Sequence, residues 1–292
     1  MPVPTTADTT PVLGLADHVA RIGRSSRWEL VGEVPLDFPT HHPQGMAFAS
    51  GLIFLSSVQI LDEPVPAADP ALRTPGRGAG HVFVLDADGA LMSDITVGEG
   101  AMYHPGGIDY DGENVWVSLA EYRASSRSII YSIDPVKHTA RERFRVDDHI
   151  GWILRDPGSD LLYGGNWGSR HLYTWDSDGR VLDRWENPDH YIDYQDAQIA
   201  APGLLLCSGI SLLPLPAGGT HELGGLALVD PLNRRISHNV PVSLFSDAGH
   251  VITRNPVTLT TDTKEILLHA APDDGEDIRG TRILTYRMMP RA

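Results

Sequence analysis

The chain has 292 residues, 41% hydrophobic and 21% charged, with 29 glycines and 22 prolines. That is a globular composition rich in turn formers, suited to many short strands rather than long helices. The formal net charge of −15 repels phosphate backbones and anionic lipid surfaces, so neither nucleic acid nor membrane is an expected partner.

Residues 1–26 stand apart from the rest. Met1 to Pro11 reads as a tail rich in Thr and Pro, and Leu13 to Ile22 as one short amphipathic helix. Met1 to Thr10 holds no lysine or arginine and no apolar stretch of the secretory kind, and no 18-residue apolar run follows anywhere, so a cytoplasmic location is expected. From Arg27 onward the periodicity is that of strands, and residues 27–292 read as a single domain.

The strand segments recur in a fixed order, which is the strongest signal in the chain. Each unit opens with a polar motif containing Gly or Pro on a first strand. A tight turn leads to an apolar second strand. A variable connection leads to a third strand that usually ends in Asp, and a short turn to a polar fourth. The first unit starts at His41–Phe48 and continues with Leu52–Ser56, His81–Asp86 and Leu91–Val97. The second starts at Tyr103–Tyr110 and continues with Asn114–Ser118, Ser128–Asp134 and Ala140–Val146. Arg141, Arg143 and Arg145 alternate along that last strand and form a solvated face, not a basic patch. The third starts at Asp147–Ile153 and continues with Leu161–Tyr163, His171–Asp176 and Val181–Trp185. The fourth starts at Tyr191–Gln198 and continues with Leu204–Cys207, Gly225–Asp230 and Arg235–Val242. Its Cys207, the lone cysteine, sits among leucines as a small buried residue and can form no internal disulfide. The fifth starts at Val251–Val257, continues with Glu265–His269 and Thr281–Tyr286, and runs out before its fourth strand.

Trp28–Val34 is a strand without a unit. It supplies the missing outer strand, and pairing the two ends closes a ring and removes exposed edges. The expected fold is thus an all-β propeller of five four-stranded blades. A sixth blade in the 62–80 connection is the alternative, opposed by that stretch's Pro, Ala and Gly content.

In such a ring the tight turns, Asp86–Gly89, Asp111–Gly112, Asp134–Pro135 and Asp176–Gly179 among them, share one face. The inner-strand starts and the long connections (57–80, 119–127, 208–224 and 270–280) share the other, where sites are usually built. A histidine lies at or near every inner-strand start: His42, His104, His149, His190 and His250. Neutral imidazoles from separate blades could hold one divalent ion, Zn, Mn, Fe or Ca, the best set being His42, His104 and His149 with Gln44, Asp148 or Asp196 as a further ligand. The same histidines could instead serve a metal-free polar pocket or hydrogen-bond loop backbones. Arg254, within Thr253–Pro256, could clamp an anion or be neutralised by Asp193, Asp196 or Glu121. Paired carboxylates from Asp109, Asp147, Asp148, Asp193, Asp196 and Glu121 could do acid–base work. Gln44, Tyr194 and Asn255 are candidate substrate contacts. Trp152 and Trp167 are either stacking walls or fillers between blades.

The stretch Gly107–Ser118, followed by Ile130–Pro135, resembles blades of the SMP-30/gluconolactonase, strictosidine-synthase and streptogramin-lyase propellers, and the chain as a whole resembles an uncharacterised bacterial propeller family. The lactonase likeness implies a divalent cation held by Glu, Asn and Asp near the axis. Here Thr40–Gln44 occupies the place of the Glu, and Asn255 could take the part of the Asn. The histidine set is similar to that of propeller lyases that hold manganese with histidines and a glutamine.

The resulting expectation is an enzyme for a small polar molecule, working by metal-assisted or acid–base hydrolysis, elimination or isomerisation. His42, His104 and His149 would be ligands or proton carriers, Arg254 the anion clamp, and Asp196 or Glu121 the base. A non-catalytic module binding a ligand or protein on the same face is the alternative. The sequence is silent on oligomeric state.

Overall fold

The computed structural model describes residues 14–66, 73–261 and 265–289. Apart from one short helix, α1 (Leu15–Val19), and a 3-10 turn at Trp167–Ser169, the regular structure is all strand. The reason is local. Apolar residues alternate or run in short stretches, and Asp-Gly and Asp-Pro pairs interrupt them every few residues. In two of the tight turns Asp86 and Asp176 accept hydrogen bonds through Oδ1 from backbone N–H groups two and four residues on. Gly89 and Gly179 then supply the left-handed φ that completes each reversal.

The strands fall into antiparallel meanders in chain order. The first is β2 (His42–Ala49), β3 (Leu52–Asp62), β4 (Arg77–Leu85) and β5 (Leu91–Val97); β1 (Trp28–Pro35) lies elsewhere. The second is β6 (Met102–Tyr110), β7 (Val115–Glu121), β8 (Ser128–Asp134) and β9 (Thr139–Val146). The third is β10 (Ile150–Asp156), β11 (Leu161–Asn166), β12 (His171–Trp175) and β13 (Val181–Glu186). The fourth is β14 (Asp193–Ala201), β15 (Leu204–Pro214), β16 (Thr220–Asp230) and β17 (Arg235–Val242). The last three strands, β18 (Val257–Thr261), β19 (Ile266–Ala270) and β20 (Arg282–Met288), take β1 as their outer neighbour, with Trp28 opposite Met288 and Pro35 opposite Arg282. The second and third meanders merge into one eight-stranded sheet through the parallel pair Trp152 and Gly107 on β10 and β6. The architecture is an all-β arrangement of curled, propeller-like sheets, with β2, β6, β10, β14 and β18 packed against one another at the centre.

Each apolar cluster is shared by two successive meanders. Val84, Val97, Val117 and Ile129 join the first and second; Trp116, Ile130, Ile153 and Trp175 join the second and third; Trp152, Tyr163, Cys207 and Val229 join the third and fourth. Burying one such aliphatic or aromatic side chain contributes about 1.5–3 kcal/mol. Helix α1 is part of this packing: Val19 and Ile22 sit among Leu206, Leu228, Val240 and Leu259, and His238 Nε2 donates to the Ile22 carbonyl. The expected helix is real but shorter than Leu13–Ile22, and residue 13 lies outside the described residues with the tail.

Two expectations shift. The connection read as a loop at 208–224 is largely a hairpin extension, with Pro214 opposite Thr220, and the one at 57–80 is hairpin at its two ends, with Asp62 opposite Arg77. The fifth inner strand begins at Val257 rather than Val251. Residues 251–255 turn instead, with the Arg254 N–H on the Val251 carbonyl, and Pro256, which has no N–H to give a ladder, ends the turn. No helix among the described residues is long and apolar enough to cross a membrane.

Candidate functional site

The glycines of the opening motifs explain why the inner strands can meet. A Cβ on Gly106 would lie 2.0 Å from the Gly151 carbonyl oxygen, and one on Gly45 would lie 2.5 Å from the Ile108 nitrogen. Only glycine permits that approach, and it leaves a hollow over the strand starts. The hollow is a cavity of about 420 Å³ lined by His42 and Gln44 of β2, His104 of β6, Gly151 of β10, Tyr194 of β14 and Ile210 of β15. His149, Asn166, Trp167, Asp193, Arg254, Asn255 and Tyr122 complete it.

Most of its imidazoles are neutral. Burial, with His149 and His42 close by, lowers the His104 pKa well below its ordinary value. Burial also lowers that of His149, to about 4. The His149 Nδ1 lies 3.0 Å from the Glu121 carbonyl oxygen. A carbonyl only accepts, so Nδ1 carries the proton and Nε2 is a bare acceptor. The His104 ring stacks on Tyr122 at 4.5 Å, and Trp167 stands edge-on to His149 at 4.8 Å.

The ionised part of the pocket is a compact group at one side. His42 Nδ1 lies 2.6 Å from Asp274 Oδ1. Asp274 also receives Arg254 Nη2 at 2.9 Å and Asn255 Nδ2 at 3.2 Å. Burial alone would raise the Asp274 pKa, but the His42 hydrogen bond and the charges of His42 and Arg254 hold it down at about 2. Arg254 is thereby taken up: besides Asp274 it donates to the Pro272 carbonyl and lies 3.9 Å from Glu222. It is neutralised, but by Asp274 and Glu222 rather than by Asp193, Asp196 or Glu121.

Of the sequence candidates, His42, Gln44, His104, His149, Trp167, Asp193, Tyr194, Arg254 and Asn255 line this one cavity. Asp109, Asp147, Asp148, His190 and His250 are not in its lining, and neither are Asp196, Glu121 and Trp152. Asp196 points into the centre of the strand bundle, where its carboxylate accepts the N–H groups of Met46, Ile108 and its own neighbour Ala197. Burial raises its pKa well above the ordinary value despite those donors, with the Asp109 carboxylate adding to the rise. Glu121 is 2% exposed and capped by Arg123 at 2.6 Å and Arg127 at 3.5 Å, which spend its charge outside the cavity. Trp152 is 1% exposed, with its indole N–H on Ser169 Oγ, and fills space between the third and fourth meanders instead of forming a wall.

The metal set does not assemble either. Among the described residues no group of three or more His, Cys, Asp or Glu side chains lies together as a metal ion would need. Within the set, His42 Nδ1 is turned to Asp274 and His149 Nδ1 to the Glu121 carbonyl, and the His104 and His149 rings are 6.1 Å apart at their centroids.

Asp274 was missed. It lies in the 270–280 connection, and no local pattern distinguishes it from Asp273 or Asp277. Tyr122, in the 119–127 connection, and Asn166, at the end of β11, also line the cavity. Tyr122 is half-buried and its phenol pKa is raised, by desolvation first and then by the Glu63 carboxylate.

A family model matches residues 9–287, nearly the whole chain. The chain belongs to the family of unknown function DUF6454. No curated protein matches it in sequence. Among solved structures, the tail fibre of Staphylococcus aureus phage P68 is similar at 11% identity and a TM-score of 0.53, covering 91% of this chain and 53% of its own. A luciferin-regenerating enzyme is similar at 11% identity and a TM-score of 0.50, covering 91% of this chain and 96% of its own. Kuenenia stuttgartiensis hydrazine synthase matches at 15% identity with a TM-score of 0.43. The DUF6454 chain spans 58% of the hydrazine synthase chain and about half of the tail fibre. At these identities the likeness is one of fold.

Proposed function

We propose that this DUF6454 chain is a five-bladed propeller whose central pocket performs acid–base chemistry on a small polar molecule. The blade count rests on three features. The eight-stranded sheet narrows to a single parallel pairing between β6 and β10, each half is a four-stranded meander, and β1 completes the last sheet beside β20.

The chemistry rests on the His42–Asp274 hydrogen bond at the cavity wall. An ionised Asp274 accepts the Nδ1 proton, fixes the tautomer and leaves Nε2 of His42 as a base, the arrangement that activates histidine in many acid–base sites. Arg254 and Asn255 position Asp274. His104, neutral and hydrogen-bonded to no other side chain among the described residues, can donate its N–H to a developing oxyanion or leaving group. His149 Nε2 and the amide of Gln44 can bind hydroxyl or amide groups of the substrate, and Tyr122 and Trp167 can face a ring. With its one arginine already neutralised, the pocket suits an uncharged ring better than an isolated anion. Proton transfer at a carbonyl or hydroxyl carbon, as in lactone or ester hydrolysis, elimination or isomerisation, fits these groups. The luciferin-regenerating enzyme, which shares the fold over nearly its whole length, lends support from its name alone.

The test is a turnover screen of neutral lactones, esters and cyclic hydroxyketones. His42→Ala should lower kcat by about 10²–10⁴-fold with a small change in KM, and activity should survive dialysis against EDTA. Full activity in His42→Ala would overturn the reading.

The exposed Trp167, Leu212 and Leu213 beside the cavity mouth favour a second reading, ligand or protein binding without turnover. A ligand that binds in the pocket and is returned unchanged would select it.

A further inference from the structure

A second cavity of about 370 Å³ adjoins the first and shares Tyr122 and Trp167 with it. Its remaining lining is Glu63, Pro64, Arg73, Arg123, Ala124 and Ser125. The two chambers therefore stand on either side of one aromatic wall, formed by rings 6.0 Å apart at their centroids.

Their charges differ. In the central pocket Arg254 is bound to Asp274, and burial holds His104 and His149 neutral. In the side chamber the Arg73 guanidinium donates to the Pro64 carbonyl and forms no ion pair among the described residues. Arg123 is held in place by the buried Glu121 and donates from Nη1 to the Arg73 carbonyl at 3.3 Å. Glu63 is the one carboxylate of the chamber's lining and sets an upper limit on its attraction for anions. In a chain with a net charge of −15, an arginine without an ion pair among the described residues, beside a pocket whose own arginine is neutralised, is a distinct local feature.

We infer that the ligand is bipartite: an uncharged hydroxylated ring in the central pocket, joined past Tyr122 and Trp167 to one anionic group, carboxylate or phosphate, that sits on Arg73 in the side chamber. This rests on the central pocket being the binding site. The arrangement divides recognition between stacking and hydrogen bonding at the ring and a charge-assisted bond at the tail. Tyr122 is where the two meet: its hydroxyl feels Glu63 and Arg73 from one side and Asp274 and Arg254 from the other. Either kind of anion satisfies an arginine, so the ring's substituent and not the arginine sets which one is natural.

The experiment measures dissociation constants by calorimetry for two matched pairs, phenyl β-glucoside with phenyl β-glucuronide, and glucose with glucose 6-phosphate. The anionic member of at least one pair should bind about tenfold or more tightly, and which pair shows the larger ratio separates carboxylate from phosphate. Arg73 is exposed, so Arg73→Gln should fold normally and bring that ratio close to one, while Glu63→Gln should raise it. The ratio should also shrink when sodium chloride is raised from about 50 to about 300 mM. Equal affinities within both pairs, with binding abolished by His104→Ala, would overturn the bipartite ligand and leave the pocket standing. Failure of all four probes to bind would sink both.

Discussion

The starts of the inner strands carry His42 and Gln44 of β2, His104 of β6 and, just before β10, His149; deeper in the bundle lie Asp109 of β6, Asp196 and Gln198 of β14 and Thr258 of β18. Both layers are polar, and both lie at the centre of the molecule. In the deeper layer every group is spent on backbone. Asp196 takes three N–H groups; Asp109 takes that of Ile199; Gln198 both accepts from and donates to the Leu259 backbone; Thr258 donates to the Met46 carbonyl. An inner strand is paired along one edge only, so the groups on its other edge need partners, and these side chains supply them. In the upper layer the strands have diverged around the cavity, and the imidazoles keep nitrogens free. The comparison teaches that polarity at the centre of such a fold is not in itself a sign of chemistry. What separates a binding layer from a structural one is unspent hydrogen-bonding capacity beside a space large enough for a ligand.

The largest expected effect tests that division directly. Asp196→Ala would leave three buried N–H groups without acceptors and should cost about 3–5 kcal/mol, lowering Tm by roughly 10 °C. His104→Ala, which opens onto the cavity, should cost about 1 kcal/mol. Thermal unfolding of the two variants checks this, and equal losses would break the distinction between the layers.

The strand repeat was legible because it is written in local terms: alternation, apolar runs, and Asp-Gly or Asp-Pro turns. Leu91–Val97, Ser128–Asp134 and Arg235–Val242 begin and end where the pattern said. The face was legible too, because the opening motifs carry the histidines. Pairing across the centre was not. Asp196 and His104 sit in similar motifs, and nothing local says that one carboxylate will find three N–H groups from β2, β6 and its own strand. Likewise Arg254 was expected among the aspartates of the inner strands, whereas its partners Asp274 and Glu222 come from a connection and from β16. Glycine gave a sign that was available but unread: Gly45 and Gly106-Gly107, on the successive inner strands β2 and β6, sit where the backbones touch.

A middle-sized effect concerns acid stability. Asp274 is held at about 2 against an ordinary 3.8, so the folded state binds fewer protons than the unfolded chain between those values. Its contribution, about 2 kcal/mol, is fully present above pH 4 and disappears as pH falls through 2. Asp274→Asn should remove that slope from a plot of unfolding free energy against pH. If the wild type and the variant run parallel from pH 4 to 2, Asp274 is not the ionised partner of His42 and Arg254, and the base proposed for the pocket loses its support.

The smallest effect sharpens the contrast at one residue. His149 belongs to the upper layer but has spent one nitrogen, Nδ1, on the Glu121 carbonyl, so it combines both behaviours. With its pKa lowered to about 4 by burial, its ring should stay neutral in the Nδ1–H form from pH 8 down to pH 5, and nitrogen chemical shifts of labelled histidine should show a protonated Nδ1 and a bare Nε2 throughout that range. Protonation near pH 6.5 would mean that the ring is better hydrated than its burial implies. The acceptor then offered to a ligand at neutral pH would become a donor in mild acid, and ligand binding would change with it. If the ring instead holds its tautomer, Nε2 offers a ligand the same acceptor from pH 8 down to pH 5, and any pH dependence of binding in that range does not come through His149.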